Sequence, residues 1–534
     1  WWPRWSPDFS FGYGYPLFNL YAPLAFYAAE VLHLLGLGLI SSVKTVYILA
    51  TIGAGLSMYG FARRLFGPQA GLLAGVVYMY APFHLVDMFV RSAYAEFVAL
   101  ALVPAVFWAF TELISTPSPR RLGWAGFAYG LLLLTHHTTF YTFNPLLMVY
   151  IFYLILAKAR LNLRPLVRHG LYALGGGLLG LALGAIYLLP LTAEMRFIKL
   201  EQWTSGSYNY LQHFVYPAQF FSPAWGYGYA GPGPLDDFSF QLGAAVIVLF
   251  CGAVVRLLTD PIYHRGTAIF FFISSLVTIM LMLPLAEAIW QIPGITTFAS
   301  LVQFPWRLLG MVAFSMSIVA GSLVAESRIQ PASERPAVRV RNQFSTPLYV
   351  LSIVVISASF SYTVPEYTTI PPWADTPLAV VNWDRASIAD RVGMVSVTEE
   401  QPQTSPMEAE YLASGRPTTV AGIISGQGQV ETLYHGGASD RVRVLADSPV
   451  TLQFYTYHYP GWQVSSAGQT IPHRPEPPFG LITVDLPPGD QIVELRMGTT
   501  PSRLAGSIIS GVTLVIIVFL LSPLSARLTY LFDN

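Results

Sequence analysis

Apolar stretches close to twenty residues long recur along the chain, separated by short polar turns. They lie at roughly 42–63, 68–90, 93–114, 121–136, 139–158, 168–193, 240–258, 266–286, 306–325, 346–363 and 505–522. A helix needs about 20 apolar residues to cross a bilayer, so these stretches predict about eleven spans. The stretch 17–40 ahead of them is also apolar, but it contains Asn19, Pro23, Glu30 and His33. Those polar groups suit an interfacial or re-entrant helix better than a tilted span. Trp1 to Pro23, WWPRWSPDFSFGYGYPLFNLYAP, carries no hydrophobic period and reads as a loop.

Residues 365–504 follow a different pattern. Short alternating runs, VRVLAD, VTLQFYTYHY, LITVDLP and QIVELRM, are separated by Pro460-Gly461, Pro477-Pro478 and Pro487-Pro488-Gly489. Alternation broken by turn residues predicts strands, and several such strands predict a β-sandwich. The expected fold class is a mainly α polytopic membrane protein with a C-terminal β-sandwich inserted before the last transmembrane helix. The expected domains are 1–41 (external loop and juxtamembrane helix), 42–364 (transmembrane bundle), 365–504 (β-sandwich) and 505–534 (final helix and cytoplasmic tail).

Composition supports this class. The chain is 54% hydrophobic and only 11% charged, against about 25% charged residues in soluble domains. Its net charge of +0 implies no nucleic-acid partner. The single cysteine, Cys251, sits within an apolar run and is expected to be buried; it leaves no disulfide and no cysteine-based metal site. The chain opens on Trp rather than Met, and a first membrane helix ahead of Trp1 is expected.

Basic residues give the expected orientation. Arg63, Arg64, Arg120, Arg121, Lys158, Arg160, Arg164, Arg168, Arg256, Arg265, Arg328, Arg335, Arg339, Arg341 and Arg527 fall in every second loop. Those loops are assigned to the cytoplasm. The loops at 91–92, 137–138, 194–239, 287–305 and 364–504 then face outward, together with Trp1–Pro23. The cytoplasmic loop 327–345 is polar and expected to be mobile. The expected location is the cell (inner) membrane, multi-pass, with the β-domain extracytoplasmic.

Ionisable residues collect near the outward ends. Asp8 lies among Trp5, Phe9, Phe11, Tyr13 and Tyr15. A carboxylate beside aromatic faces suits a general base or a metal ligand, with the rings against a sugar or lipid; the plainer reading is a turn-forming Asp after Pro7. Asp87 and Arg91 have i, i+4 spacing, and Glu96 follows. This trio is either an ion-pair cluster that fixes a turn or a site in which Arg91 binds an anionic phosphate and Glu96 lines the cavity. His136 and His137 end another apolar run, as a phosphate donor or proton carrier or as interfacial hydrogen-bonded groups. The loop after 193 carries Glu194, Arg196, Lys199 and Glu201, an aromatic run, then Asp236 and Asp237. Its aromatics are those of an interfacial belt or of a sugar-stacking surface, the belt being favoured. Arg307 stands at an outer end against the charge bias, which makes it a better candidate for phosphate binding than for a topological signal; the plainer reading is snorkelling to lipid headgroups. A nucleophile elbow, P-loop, HExxH or dinucleotide fingerprint is absent from the sequence.

Four stretches carry a resemblance: PRWSPDFSFGYGYPLFNLYAPL, RSAYAEFVALALVPAVFWAF, LLLLTHHTTF and LVQFPWRLLG. With them the chain resembles the bacterial membrane family labelled 6-pyruvoyl-tetrahydropterin synthase-related. It is also similar to large multi-spanning glycosyltransferase-like proteins whose β-domain carries a YYPGW-type turn, here YHYPGW at Tyr457–Trp462. A soluble pterin synthase needs a zinc-binding histidine set that is not found here. The resemblance extends to the GT-C class, which uses polyprenyl-phosphate sugars and places a catalytic acid in its first external loop. It implies a GT-C-like helical bundle and Asp8 as the catalytic carboxylate; beside it, the polar and aromatic groups read above, Asp87, Arg91, Glu96, His136, Arg307, Tyr13 and Tyr15, are the expected substrate-binding residues. It implies a lipid-linked sugar donor, membrane lipids and a glycan, lipid or protein acceptor as partners. Many such enzymes carry paired acids in this loop, whereas Asp8 stands between Pro7 and Phe9. One carboxylate is a poor divalent-ion site by itself, so dependence on a divalent metal stays open and no metal ligands are named. The rival readings are a transporter or flippase of lipid-linked glycans and a non-catalytic cell-envelope assembly protein.

Overall fold

A computed structural model describes residues 2–160, 162–326, 345–387 and 394–525. The basic residues Arg328, Arg335, Arg339 and Arg341, most of the 327–345 loop, and Arg527 lie outside the described residues. The chain divides into two compact units. One, the helical unit, comprises Pro23–Gly184, Thr204–Tyr367 and Gly511–Asn534. The other, the β unit, comprises Trp1–Ala22, Ala185–Trp203 and Thr368–Ser510.

Among the described residues, seven helices are long and apolar enough to cross a membrane: Leu39–Phe66, Tyr94–Ser115, His137–Ala159, Leu163–Leu183, Arg265–Met282, Thr346–Thr363 and Pro501–Leu521. Two bent pairs raise the number to 9 if each is one span. The chain is therefore a multi-pass membrane protein, with fewer unbroken spans than the eleven expected. Backbone breaks account for part of the difference. The 68–90 stretch divides into Pro68–Met79 and Pro82–Phe89, bent by 41°; Pro82 lacks the N–H that would continue the first helix and restricts the residue before it. The 306–325 stretch is the second arm of Ile295–Val302 plus Pro305–Ser322, bent by 85° at Gln303, whose φ is +66°. Pro119–Thr135 and Ala244–Thr259 have 17 and 16 residues. The 168–193 stretch ends its first helix at Leu183, before Gly184. Within 17–40, Leu24–Leu34 has 11 residues, about 16 Å of helix and half of a bilayer core. It is not a span.

The centre of the helical unit is aromatic. Phe61 and Phe314 stack at 6.1 Å with 2° between planes, Phe107 lies 4.6 Å from Phe314, and Phe271 and Tyr150 complete a fully buried group. Lipid tails are as apolar as these rings, so close fit holds such helices together. Small residues supply the rest: a Cβ on Gly180 would lie 2.9 Å from the Gly126 carbonyl oxygen, so Pro119–Thr135 and Leu163–Leu183 meet through backbone. Cys251 is exposed on Ala244–Thr259, which corrects the expectation that it is buried. In a membrane helix an outward apolar position faces lipid, so an apolar neighbourhood in sequence does not imply burial in protein.

Ion pairs mark one end of this bundle. Glu112 near the end of Tyr94–Ser115 binds Arg64 and, at 3.0 Å, Arg121. Arg256 donates to the carbonyls of Leu323 and, at 2.6 Å, Ala325. Arg64, Arg121 and Arg256 all belong to the group of loops assigned to one side by charge.

Among the described residues the β unit contains nine strands: β1 (Ala421–Ser425), β2 (Gly428–Gly436), β3 (Ser439–Ala446), β4 (Val450–Tyr457), β5 (Trp462–Ser466), β6 (Gln469–Ile471), β7 (Arg474–Glu476), β8 (Leu481–Leu486) and β9 (Gly489–Met497). One antiparallel sheet has the order β1-β4-β8-β7, the other β2-β3-β9-β5-β6. The four alternating runs of the sequence are β3, β4, β8 and β9. Their inward residues, among them Val442, Val444, Leu452, Phe454, Val484, Val493 and Leu495, are fully buried.

The opening loop packs inside this same unit. Ser6 and Tyr15 exchange backbone hydrogen bonds of 2.8 and 2.9 Å. Trp5 lies edge-on to Trp462 at 5.4 Å and 5.9 Å from Tyr459. Tyr13 lies on Tyr457 and Phe479, and its carbonyl accepts the Tyr457 N–H at 3.0 Å. Gly14 has φ +87°, and any side chain there would overlap the Trp5 indole.

Candidate functional site

In the helical unit, five of the sequence-predicted residues come together. Pro82–Phe89 carries Asp87, its C-terminal turn carries Arg91, and the first turn of Tyr94–Ser115 carries Glu96. Arg91 pairs with Asp87 through Nη1 and with Glu96 through Nη2 at 3.0 Å. Arg307, more than two hundred residues later, approaches the same Glu96 oxygen with Nε at 3.8 Å. Two guanidiniums thus share one carboxylate. Arg307 Nη1 also donates to Gln303 Oε1 at 2.9 Å and to the Val302 carbonyl at 3.1 Å, which holds it at the sharp bend before Pro305. His136, the N-cap of His137–Ala159, lies within electrostatic reach of Glu96, Arg307 and Arg91. Its Nδ1 is 2.8 Å from Thr139 Oγ1.

Aromatic rings roof the charges. The Arg91 guanidinium sits 4.5 Å from the Trp306 ring centroid, and Arg307 sits 5.1 Å from that of Phe304. Phe304 and Trp306 stack at 5.0 Å, 13° apart. Asp87 is fully buried, and the Arg91 and Arg307 side chains are each 13% exposed. Two cations balance two carboxylates, so the four-residue group is formally neutral. The Trp306 Nε1–H is buried without a hydrogen-bond partner among the described residues. A buried donor in that condition is costly unless an acceptor arrives. The arrangement can offer N–H donors to an anion by exchanging them away from Glu96 or Asp87.

Asp8, Tyr13 and Tyr15 belong to the β unit. Asp8 is half-buried and accepts the Tyr411 hydroxyl at 2.8 Å. Burial first, and then the Asp8 charge and hydrogen bond, push the Tyr411 phenol well above its ordinary value. Tyr13 is buried on Tyr457 and Phe479, and Tyr15 lies 6.0 Å from Phe9. The backbone holds the loop in an unusual shape: Ser10 and Phe11 have φ of +55° and +57°. Two long-range bonds fix Phe11, whose N–H donates to Asp384 Oδ2 at 2.9 Å and whose carbonyl accepts from Ser405 at 2.5 Å.

Several groups escaped the sequence reading. Tyr411 is one. His435 and Asp440 are others: they face each other across β2 and β3, with Nδ1 and Oδ1 2.6 Å apart. Burial lowers the His435 pKa, but the Asp440 hydrogen bond and charge, together with Asp8, outweigh it and raise the value overall. His84, buried between Tyr78 and Phe97, has neither ring nitrogen hydrogen-bonded among the described residues. Glu194, named from the loop after 193, forms a buried pair with Arg503, which the sequence did not single out. The Asp87–Arg91, Arg91–Glu96 and His435–Asp440 pairs are local in sequence, whereas the partners that meet Arg307, Asp8 and Glu194 are distant. Among the described residues, no group of three or more His, Cys, Asp or Glu side chains could hold a metal ion.

Fold and cluster together define a multi-pass membrane protein with a helical bundle, a β-sandwich and a balanced ionic group beneath aromatic rings. The model of the 6-pyruvoyl-tetrahydropterin synthase related domain, described as a membrane protein, matches residues 18–327, and the chain belongs to this family. No curated protein matches the chain.

Proposed function

We propose that the protein is a membrane glycosyltransferase that moves a sugar from a polyprenyl-phosphate donor to an extracytoplasmic glycan, lipid or protein acceptor. The observation that carries this reading is the convergence of Arg91 and Arg307 on Glu96, beside a buried indole N–H that lacks an acceptor. Guanidiniums held in this way suit a phosphate oxygen on which charge grows as a bond breaks. In the transfer, the acceptor hydroxyl forms a bond to the anomeric carbon, and the bond from that carbon to the donor phosphate oxygen breaks. Asp8 takes the acceptor proton, and the lipid phosphate leaves with the electron pair on Arg91 and Arg307. His136, near the same arginines, is assigned to the phosphate as well.

The flippase alternative calls for ionisable groups through the depth of the spans. The Tyr94–Ser115 helix instead has its carboxylates at positions 96 and 112, one near each end. That distribution favours chemistry at an end of the bundle. The test is transfer from polyprenyl-phosphate sugars by the purified chain, wild type against Asp8→Asn. The expected result is measurable transfer, lost in the variant. Undiminished turnover in Asp8→Asn overturns the role of Asp8, and no transfer from any such donor overturns the activity.

A further inference from the structure

We infer that the β unit carries a binding site for a phosphate-bearing ligand, in an open cavity of about 670 Å3 lined by Trp2, Arg4, Gln463, Arg496, Thr499 and Arg503 among others. The volume is within the range of small-molecule sites, about 300–1,000 Å3. The site shares no residue with the roles assigned above, and it stands or falls independently of glycosyl transfer.

Three arginines line this cavity, Arg4 from the opening loop and Arg496 and Arg503 from the end of the β unit, and two are fixed in place. Arg4 donates to Asn19 Oδ1 and to the Ile186 carbonyl, both at 3.0 Å, with its guanidinium 4.8 Å from the Trp2 ring centroid. Arg503 is held by Glu194 at 2.7 Å and by the carbonyls of Pro460 and Gly498 at 2.9 and 3.2 Å. The third, Arg496, is exposed on β9, opposite Ser439 and Gln463, both uncharged. Its side chain makes no hydrogen bond or ion pair among the described residues. Glu194 offsets Arg503, and the charge of Arg496 has no ion pair among the described residues.

That composition selects an anion with several oxygens. Arginine matches phosphate geometry with two parallel N–H donors, and exposed Arg496 supplies them, whereas buried Arg503 has its N–H groups engaged by Glu194, Met497, Gly498 and Pro460 and only frames the cavity. The Gln463 amide and the Thr499 hydroxyl add neutral donors, and the Trp2 indole offers an apolar face to the rest of the ligand. Arg503 also belongs to Pro501–Leu521, a helix able to cross a membrane. A phospholipid headgroup and a soluble phosphate ester share the chemistry that this cavity recognises.

The experiment is isothermal titration of the full-length protein in detergent with inorganic pyrophosphate. Saturable binding is expected, weakened about tenfold in Arg496→Gln and in Arg4→Gln, as for loss of one charged hydrogen bond. Arg441→Gln, an exposed arginine on β3 facing Glu494, is the control and should bind as wild type. An unchanged thermal transition in Arg496→Gln shows that the variant folds. Short-chain phosphatidylglycerol and glycerol 1-phosphate are then tested as competitors. Displacement by the lipid alone identifies a headgroup, and displacement by the ester alone a soluble ligand; displacement by both leaves the phosphate itself as the recognised group, and each of these supports the site. The proposal is overturned if binding does not saturate, if Arg496→Gln binds as wild type, if Arg441→Gln loses as much, or if neither competitor displaces pyrophosphate.

Discussion

Arg503 lies on Glu194 with Nη2 and Oε2 2.7 Å apart, and their side chains are 3% and 4% exposed. Asn19, Thr500 and Ser502 also donate to this carboxylate, so each charge is well matched although both are removed from water. A buried pair of this kind adds little net stability over an apolar substitute, but removing one partner strands the other. Arg503→Leu and Glu194→Leu should each destabilise the protein by about 3–5 kcal/mol. The double Leu variant should recover a substantial part. Thermal unfolding in detergent checks this, and losses that simply add in the double variant would contradict the coupling.

The two arginines on Glu96 are not equivalent. Arg91 also carries fully buried Asp87, whereas Arg307 contacts Glu96 at 3.8 Å and donates to the Val302 carbonyl and Gln303 Oε1. Arg91→Met should therefore cost about 3–5 kcal/mol, as expected for a stranded buried carboxylate. Arg307→Met should cost clearly less, because Glu96 keeps Arg91 at 3.0 Å. On the proposed transfer reaction, Arg307→Met should still lower turnover on the order of a hundredfold, the scale seen when one donor to developing charge is removed. Unfolding temperature and turnover, measured on the same preparations, separate the two effects. A loss of turnover no larger in Arg307→Met than in an exposed control such as Arg441→Gln would remove Arg307 from the phosphate.

Much of the helical unit was legible because membrane spans declare themselves by length and hydropathy. The breaks were harder to see. Pro82 and Pro305 lie within apolar runs, and a span tolerates proline when its neighbours satisfy the freed backbone; the sequence does not show which prolines bend the chain. The longer strands were legible from their alternation. Strands β6 and β7, of 3 residues each, are too short to show a period. The Asp87–Arg91 pair was readable from helical spacing, but the approach of Arg307 to Glu96 depends on tertiary packing. The same holds for Asp8 and Tyr411, and for Glu194 and Arg503. In the opening loop, aromatic density suggested ligand stacking, yet Trp5 and Tyr13 are buried against β-unit aromatics. Composition cannot distinguish a ring that waits for a ligand from one that has found a core.

The facing pair His435 and Asp440 makes stability depend on pH. Burial alone would lower the His435 pKa, but the hydrogen bond and charge of Asp440, with Asp8, raise it above the ordinary 6.5. A group whose folded pKa is raised stabilises the fold fully below its unfolded pKa and loses that contribution as pH rises through the folded value. The difference in unfolding temperature between wild type and His435→Gln should thus be greatest below about pH 6 and shrink steadily into the alkaline range. Unfolding scans from pH 5 to 9 on both proteins check this. A difference that grows with pH would mean that the imidazole is held neutral.

Charge and packing together predict which side of the membrane the β-sandwich occupies. Arg64 and Arg121 meet on Glu112 at one end of the helical bundle, with Arg63 and Arg120 beside them in sequence. Four basic residues against one carboxylate predict that this end is cytoplasmic. The opposite end of Tyr94–Ser115 carries the balanced group of Asp87, Arg91, Glu96 and Arg307 and shows no such surplus. A Cβ on Gly123, two residues after Arg121, would lie 3.0 Å from the Leu520 side chain. The Pro501–Leu521 helix therefore runs toward the basic end, and the strands that precede it in the chain are expected outside the cytoplasm. Gly437→Cys, at an exposed position between β2 and β3 where a Cβ meets nothing within 4 Å, can be placed in a Cys251→Ser background. In whole cells a membrane-impermeant maleimide should label it, and should label Arg120→Cys only after the cells are opened. The reverse pattern would place the β-sandwich in the cytoplasm and remove the extracytoplasmic acceptor from the proposed reaction.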